Sequence, residues 1–559
     1  MAEVRNVNVG ILGHVDSGKT SLARALSTVV STAGFDKHPQ SQQRGITLDL
    51  GFSALRVDEA PSPLREKIGN LANGTQFTLV DCPGHASLIR TIIGGAQIID
   101  AMMLVIDVTK GIEVQTAECL VIGEIIKGGT CPLLVVMNKV DLLPPASRDD
   151  AVEKMRKKVG LTLKKTKFAD NFKTVVACAA PGGQGDTLRD AEGIEDVIRE
   201  LCTMMPPTMT RFPNAPFLCL VDHCFAVKGQ GTVLTGTVLQ GTLAVGDTVE
   251  IVEIGEQRKV KGMQMFKKPV QRATHGDRVA LCVTQLDPTD LERVLVAKPG
   301  HIPKSKRLVA EVERVRFYKS AVESYKKFHI SLGHSTVLAE AIFFSRPCSR
   351  ATVPLSEDDF SFEWSLEQSG KPDMGQEACG AGKQFFALLT FDDAIPCPPS
   401  AQLIASRLDS TAHTNSCRIA FAGQVFDQLL STEAGTPVPL KVYKSKEKKG
   451  IIERVEGDGE TAIVKGMFKK ETDISAFLGM FVKVGVGEDT YSDGGGGCGS
   501  SDVHGSGEGG GKIVSTFGKS GKVKVHFPDQ QISKFGSSKE VTLVFKKNIF
   551  GKDKKELFQ

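Results

Sequence analysis

The chain has 559 residues, of which 41% are hydrophobic and 24% charged, with a net charge of +4, a length that suits about three to five domains. No apolar run approaches the ~20 residues that cross a bilayer, and residues 1–6 hold no signal-peptide core, so the composition excludes a membrane partner and points to the cytoplasm. The 13 cysteines are an odd number without a CxxC pair, which excludes a disulfide framework and a zinc cluster and points to a reducing compartment.

The apolar run 7–12 reads as a buried strand, and it leads directly into Gly13-His14-Val15-Asp16-Ser17-Gly18-Lys19-Thr20 and a helix over 21–27. This is GxxxxGK[ST] in its proper strand-to-helix context. The glycines let the backbone N–H groups of Asp16, Ser17 and Gly18 wrap around phosphate oxygens at a helix N-terminus. Lys19 reaches the β- and γ-phosphates, and the Thr20 hydroxyl suits Mg²⁺. Residues 40–50 show little helical or strand pattern, as expected of a loop that orders only when a γ-phosphate and its Mg²⁺ hold Thr47.

A second apolar strand, 77–80, ends at Asp81-Cys82-Pro83-Gly84-His85. Asp81 is placed to bind the Mg²⁺ shell through water, and the Gly84 N–H to meet the γ-phosphate. His85 directly follows, and in phosphoryl transfer such a side chain orients the attacking water. After the strand 132–137 comes Asn138-Lys139-Val140-Asp141, which chooses the base. Guanine offers N–H donors on its Watson–Crick edge that adenine lacks, and the Asp141 carboxylate can accept from them. A further base loop follows the strand 174–177, where Cys178-Ala179-Ala180 presents a backbone N–H to the guanine oxygen. Four motifs in this order describe a GTP switch that hydrolyses GTP to GDP and phosphate.

Residues 1–210 alternate apolar strands with helical stretches at 88–100 and 192–204, the texture of a doubly wound α/β domain. From residue 215 short strands separated by glycine turns follow, at 217–222, 231–239, 241–246, 247–252 and 277–283, which predicts a β-barrel over 214–302. Strands recur over 306–432, interrupted by a polar stretch, 348–383, expected to be a mobile loop. A fourth module, 438–559, is mainly β and carries a Gly/Ser-rich insertion, 491–511, expected to be flexible. From Val438 onward 20 Lys and 1 Arg stand against 16 Asp and Glu, an excess of +5 that leaves the first 437 residues at −1. The last module is the basic one, suited to phosphate backbones or to a solvated face.

A P-loop GTPase domain, two β-barrels and a small basic β module make an arrangement that resembles the EF-Tu family of translational GTPases. The segments 44–52, 81–96 and 221–225 look like those of the selenocysteine-specific elongation factors, called SelB or eEFSec, in their eukaryotic rather than bacterial form. The resemblance implies delivery of selenocysteinyl-tRNA to a ribosome at UGA codons by a monomer, with the insertion element of the messenger RNA engaged through its binding protein. It places the aminoacyl group against Asp222, His223 and Arg278. A selenol is more acidic than a thiol, whose reference pKa is about 8.5, so Arg278 and a His223 kept protonated by Asp222 would favour the selenolate over the neutral hydroxyl of serine. The other reading of the same architecture is a general aminoacyl-tRNA or initiator-tRNA carrier.

Overall fold

The computed structural model describes residues 5–30, 50–56, 74–83, 89–128, 130–182, 191–205, 211–229, 231–289, 291, 293–333, 335–347, 358–366, 383–408, 417–428, 440–484, 510–518, 520–528, 532, 540–550 and 557–558. Thr47, Gly84, His85, and most of the expected loop 40–50 and insertion 491–511 lie outside them. The chain forms two compact units: residues 1–342, 365–369 and 386–431, and residues 343–364, 370–385 and 432–559. No described helix is long and apolar enough to cross a membrane.

The first unit begins with strand β1 (Arg5–Gly13), helix α1 (Lys19–Leu26), β2 (Val29–Val30), β3 (Gly51–Arg56) and β4 (Thr75–Asp81). It continues with α2 (Ile89–Ile98), β5 (Ala101–Asp107), α3 (Val114–Lys127), β6 (Leu133–Asn138), α4 (Arg148–Leu163), β7 (Phe172–Val176) and α5 (Ile194–Met204). Seven strands make one sheet in the order β2-β3-β4-β1-β5-β6-β7. The run from β4 to β7 is parallel, while β3 pairs antiparallel with β4. Every residue of β4, β5 and β6 is buried, as a sheet covered by helices on both faces demands. In this topology the C-terminal ends of β1, β4 and β6 share one edge, which gathers Gly13, Asp81 and Asn138 there, the usual ligand edge of such sheets.

The barrel that follows is built from β8 (Leu218–Val227), β9 (Gly231–Gln240), β10 (Thr242–Ala244), β11 (Thr248–Ile251), β12 (Glu256–Met265), β13 (Lys268–Val270), β14 (Arg272–Thr274), β15 (Arg278–Val283) and β16 (Val294–Ala297). Strands run β11-β16-β8-β9-β15-β12, and β11 pairs back on β12. That closure leaves no open edge in the ring. Val221, Leu234, Val249, Val260, Leu281 and Val296 fill the interior. In β8 the register with β9 slips between Val221 and His223, so Asp222 sits at a bulge, a device that re-aims a side chain.

A second set of strands comprises β17 (Lys304–Arg314), β18 (Lys326–Leu332), β19 (Ser335–Pro347), β20 (Asp359–Glu363), β21 (Lys383–Pro396), β22 (Gln402–Ser406) and β23 (Ile419–Gln428). In the first unit, β18, β22, β23, β17 and β21 are neighbours in that order, and the first half of β19 pairs back on β18. The second unit holds β24 (Lys441–Val455), β25 (Thr461–Lys465), β26 (Phe481–Val484), β27 (Gly510–Phe517), β28 (Lys522–His526), β29 (Glu540–Asn548) and β30 (Leu557–Phe558). Its ring β24-β25-β28-β27-β26-β29 closes through a β24 to β29 ladder.

The polar stretch 348–383 is not one mobile loop: it contains β20, whose Phe360 is buried and which pairs with β24 in parallel and with the end of β19 in antiparallel register. Residues 343–364 therefore group with the C-terminal strands. A buried Arg346 to Asp358 ion pair of 2.9 Å joins the end of β19 to the residue before β20, through a carboxylate that composition alone counted as loop polarity.

Within the first unit the nucleotide-type sheet is clamped to the following barrel by polar groups. Arg211 donates to both carboxylate oxygens of Asp100 at 3.0 and 2.9 Å and to the Asn6 carbonyl at 2.8 Å. Asn8 donates to the Gly276 carbonyl at 2.9 Å, and Asn6 to the Asp277 carboxylate. Gly276 has φ +94°, and a Cβ there would lie 2.5 Å from the Arg211 guanidinium carbon. Beside it, His275 Nδ1 accepts the Phe212 N–H at 3.0 Å, which requires that nitrogen to be unprotonated. Burial first, and then the Arg211 charge, push the His275 pKa from 6.5 down to about 4.

The unfolded chain thus binds more protons than the folded one between about pH 4 and 6.5, so stability contributed by neutral His275 is complete above that window and is lost as pH falls through it. The urea midpoint of the wild type should drop more between pH 7 and pH 4 than that of His275→Asn, which keeps an acceptor without the titration. Parallel pH profiles for the two proteins would show that His275 carries none of this dependence.

Candidate functional site

The glycine-rich turn between β1 and α1 is held open by backbone that side chains rarely tolerate. Gly18 has φ +92°, and a Cβ on it would meet Asn138 Nδ2 at 2.2 Å. Asp16 also adopts positive φ, 58°, so the loop bends twice before the helix begins. Lys19, only 6% exposed, donates to the His14 carbonyl at 2.6 Å. Burial lowers its pKa, and the nearby Asp81 charge works against that loss. The Thr20 hydroxyl donates to Asp81 Oδ2 at 2.6 Å. Two hard oxygens from the ends of different elements thereby converge beside a buried ammonium. The Ser17 hydroxyl is buried with no hydrogen-bond partner among the described residues.

The loops expected to read the base are tied to the same turn. Asn138 Nδ2 donates to the Ser17 carbonyl at 2.9 Å, while its Oδ1 accepts the Ala179 N–H at 3.0 Å. One side chain thus joins three motifs separated by up to 162 positions in the sequence numbering from Ser17 to Ala179. Lys139, at φ 67°, reaches Asp107 at 2.9 Å. Burial would raise the Asp107 pKa, but the hydrogen bonds from Lys139 and Thr109 prevail and hold it below the ordinary value. The Asp141 carboxylate accepts the Cys178 thiol at 2.8 Å and the Gly182 N–H at 3.4 Å. Burial, then the Asp141 charge, push the Cys178 thiol up to about 12, so it stays a donor. The cysteine in this loop thus supplies a side-chain hydrogen bond.

The second group of expected residues also comes together. Arg278, at the start of β15, forms a two-pronged pair with Asp222, both contacts at 2.6 Å, and both side chains are at most 4% exposed. His223 Nε2 lies 3.6 Å from the same carboxylate and its side chain is 29% exposed. Asp222 therefore serves Arg278 first and His223 second. The guanidinium carbon also stands 3.2 Å from the centroid of the Phe52 ring, on the strand that follows the expected switch loop.

Three buried polar atoms here have no hydrogen-bond partner among the described residues: Arg278 Nε, Thr235 Oγ1 and Thr237 Oγ1. Thr237 lies opposite Arg278, and Thr235 opposite His223, in the sheet register. The hydroxyls thus share the sheet face of the guanidinium. Phe52, Thr235 and Thr237 escaped the reading of the residues one by one. The signal was present in β9, where Thr232, Thr235 and Thr237 interrupt an apolar alternation, but a buried threonine is equally at home in any strand.

Comparison with known proteins gives the family. Residues 4–207 match the elongation factor Tu GTP binding domain, 231–293 elongation factor Tu domain 2, 309–423 the third domain of eukaryotic selenocysteine-specific elongation factors, and 438–504 the eEFSec C-terminal RIFT domain. The selenocysteine-specific elongation factor of Mus musculus is 45% identical over 547 residues, covering 94% of this chain and 88% of that protein. That of Methanocaldococcus jannaschii is 35% identical over 343 residues, 61% of this chain and 66% of that protein. The fold is similar to the crystal structure of translation elongation factor SelB from Methanococcus maripaludis in complex with the GTP analogue GppNHp, with a TM-score of 0.68, 22% identity, and 99% of this chain and 100% of that chain covered. With its guanine-nucleotide domain, its barrels and its C-terminal module all matched, the chain belongs to the selenocysteine-specific elongation factors, a family of translational GTPases.

Proposed function

We propose that this chain carries selenocysteinyl-tRNA in a GTP-bound form to ribosomes at UGA codons and hydrolyses GTP on delivery. The observation that carries the reading is the buried Arg278 to Asp222 pair against Phe52, in the barrel that adjoins the domain of the P-loop and the Asn138 to Asp141 loop. Lys19 lies where the β- and γ-phosphates of GTP pass over the helix N-terminus, and the N–H groups of Asp16, Ser17 and Gly18 cradle the oxygens. The adjoining oxygens of Thr20 and Asp81 fit Mg²⁺, with Thr47 as a further donor from the switch loop. Bound there, the ion would neutralise charge between the phosphates. Asp141, oriented by Cys178 and Gly182, accepts from the guanine edge, and the Cys178 to Ala179 backbone meets the guanine oxygen. Gly84 N–H meets the γ-phosphate, and His85 orients the attacking water.

For the cargo, the Arg278 and Asp222 charges cancel, so a selenolate would meet neither a bare cation nor a bare anion. What supports selectivity is the Arg278 Nε–H, without a partner among the described residues, backed by His223 at the exposed rim. A hydrogen bond from a buried cation to an anion is worth about 1.5–3 kcal/mol, about 10- to 150-fold in affinity. The neutral serine hydroxyl would receive less. Ribosome stimulation of hydrolysis, engagement of the insertion element through its binding protein and a monomeric cytoplasmic state complete the proposal.

In a titration of the GTP-analogue-bound protein, selenocysteinyl-tRNA should bind at least about tenfold more tightly than the seryl form of the same tRNA. Arg278→Lys, which keeps the charge but loses the fork, should erase most of that ratio. Equal affinities for the wild type would sink the selective pocket.

His85→Ala should leave GTP affinity nearly intact and slow ribosome-stimulated hydrolysis by about 10³-fold or more, the scale of positioning effects in phosphoryl transfer. Single-turnover hydrolysis with programmed ribosomes measures this, and an unchanged rate would remove His85 from the mechanism.

A further inference from the structure

Helix α4 and the turn after it carry seven basic residues and not one acidic residue between Lys154 and Ala169. Lys154, Lys157, Lys158, Leu161, Thr162 and Lys165 recur at intervals of three and four, so they form one stripe along the helix. That spacing is ordinarily the mark of a face turned to a core. Here the face is turned to solvent: the four lysines and Leu161 are exposed. None of the four lysines forms an ion pair among the described residues, whereas neighbouring Arg156 is paired with Glu153 at 3.6 Å. The stripe runs about 16 Å at 1.5 Å per residue.

Two simpler readings do not account for it. A lysine at the C-terminal end of a helix complements its dipole, which covers Lys165, just past the end of α4, but not Lys154, Lys157 or Lys158. A solvated lysine face needs no apolar centre, yet Leu161 is 65% exposed, the most exposed of the large hydrophobic side chains in the described chain. Like charges three and four residues apart also oppose the helix, so the arrangement is retained against a cost to folding.

We propose that this stripe is a docking surface for an acidic, amphipathic segment of a partner protein, its carboxylates meeting Lys154, Lys157, Lys158 and Lys165 and an apolar side chain seating on Leu161. The chemistry favours peptide over nucleic acid. Surfaces that bind single strands place aromatic rings among their cations for base stacking, as Lys444 over Trp364 at 3.6 Å does in the second unit. The stripe on α4 has no exposed aromatic ring, and a phosphate backbone would leave Leu161 uncovered.

The surface is mechanically tied to the base site. Val152 and Met155 on the reverse of α4 pack against Val108, Met137, Val140 and Cys178, and Lys158 lies beside Gly111 in the loop after β5.

The test uses the full chain and a fluorescein-labelled acidic peptide with interspersed leucines, about 16 residues long so that as a helix at ~1.5 Å per residue it spans the stripe. Anisotropy should show micromolar, salt-dependent binding. Lys154→Glu/Lys157→Glu should weaken it about tenfold or more while gaining affinity for the matching lysine peptide, and Leu161→Ser should weaken it about tenfold without changing the salt dependence. Unaltered thermal unfolding and GTP-analogue affinity verify folding of each variant. No binding, equal binding of a peptide with serine in place of leucine, or tighter binding of an RNA duplex through the same lysines would each overturn the proposal.

Discussion

A guanidinium taken out of water must be answered by a carboxylate, and that constraint organises the joint between the nucleotide-type domain and the first barrel. Removing both ions from water costs several kcal/mol each after relaxation, so the pair persists only because its geometry is good. Two contacts of 2.6 Å to Asp222 provide that. The Phe52 ring at 3.2 Å adds a cation–π contact worth about 2 kcal/mol when desolvated. The bulge at Asp222 belongs to the same solution: without the slipped register between Val221 and His223, β8 would alternate strictly, and its carboxylate would be aimed by the pleat alone.

The consequence is that the barrel is not an independent body within its unit. Arg278 is held from one side by its own barrel and from the other by β3, the strand that emerges from the expected switch loop. Arg211, Asp100 and Gly276 make a second polar lock, and Glu118 on α3 takes Arg418 from the β22 to β23 region at 3.0 and 2.7 Å. Polar joints of this kind hold a unique register, since each buried group has one partner at the right distance and any slip leaves it unsatisfied. An apolar joint of equal area would tolerate sliding.

The nucleotide loops were legible in the sequence because their chemistry is local: a phosphate cradle needs Gly18 and Lys19 at fixed spacing, and the flanking strands are buried on both faces and read as unbroken apolar runs. The barrel strands were legible for a related reason, alternation punctuated by glycine. What the sequence hid was nonlocal. β20 sits in a polar stretch whose carboxylates look like loop, because the arginine that neutralises Asp358 is 12 positions away at Arg346. Phe52 looks like an ordinary core residue until Arg278 is placed on its ring. The Asp222, His223 and Arg278 set came from resemblance, and the geometry altered its electrostatics: a carboxylate expected to serve His223 is already engaged by Arg278.

Charge, too, misleads when summed over long stretches. The first 437 residues come to −1, which concealed seven basic residues in 16 on one helix and its following turn. Helix α4 has two faces with different duties under this reading. Its apolar face completes the small cluster around Val140 and Cys178, and Cys178 in turn holds Asp141. Its lysine face meets solvent one helix diameter away. A close-packed interior transmits displacement rather than absorbing it, and the cluster on which α4 rests contains Cys178, whose thiol bonds the Asp141 carboxylate proposed to read guanine.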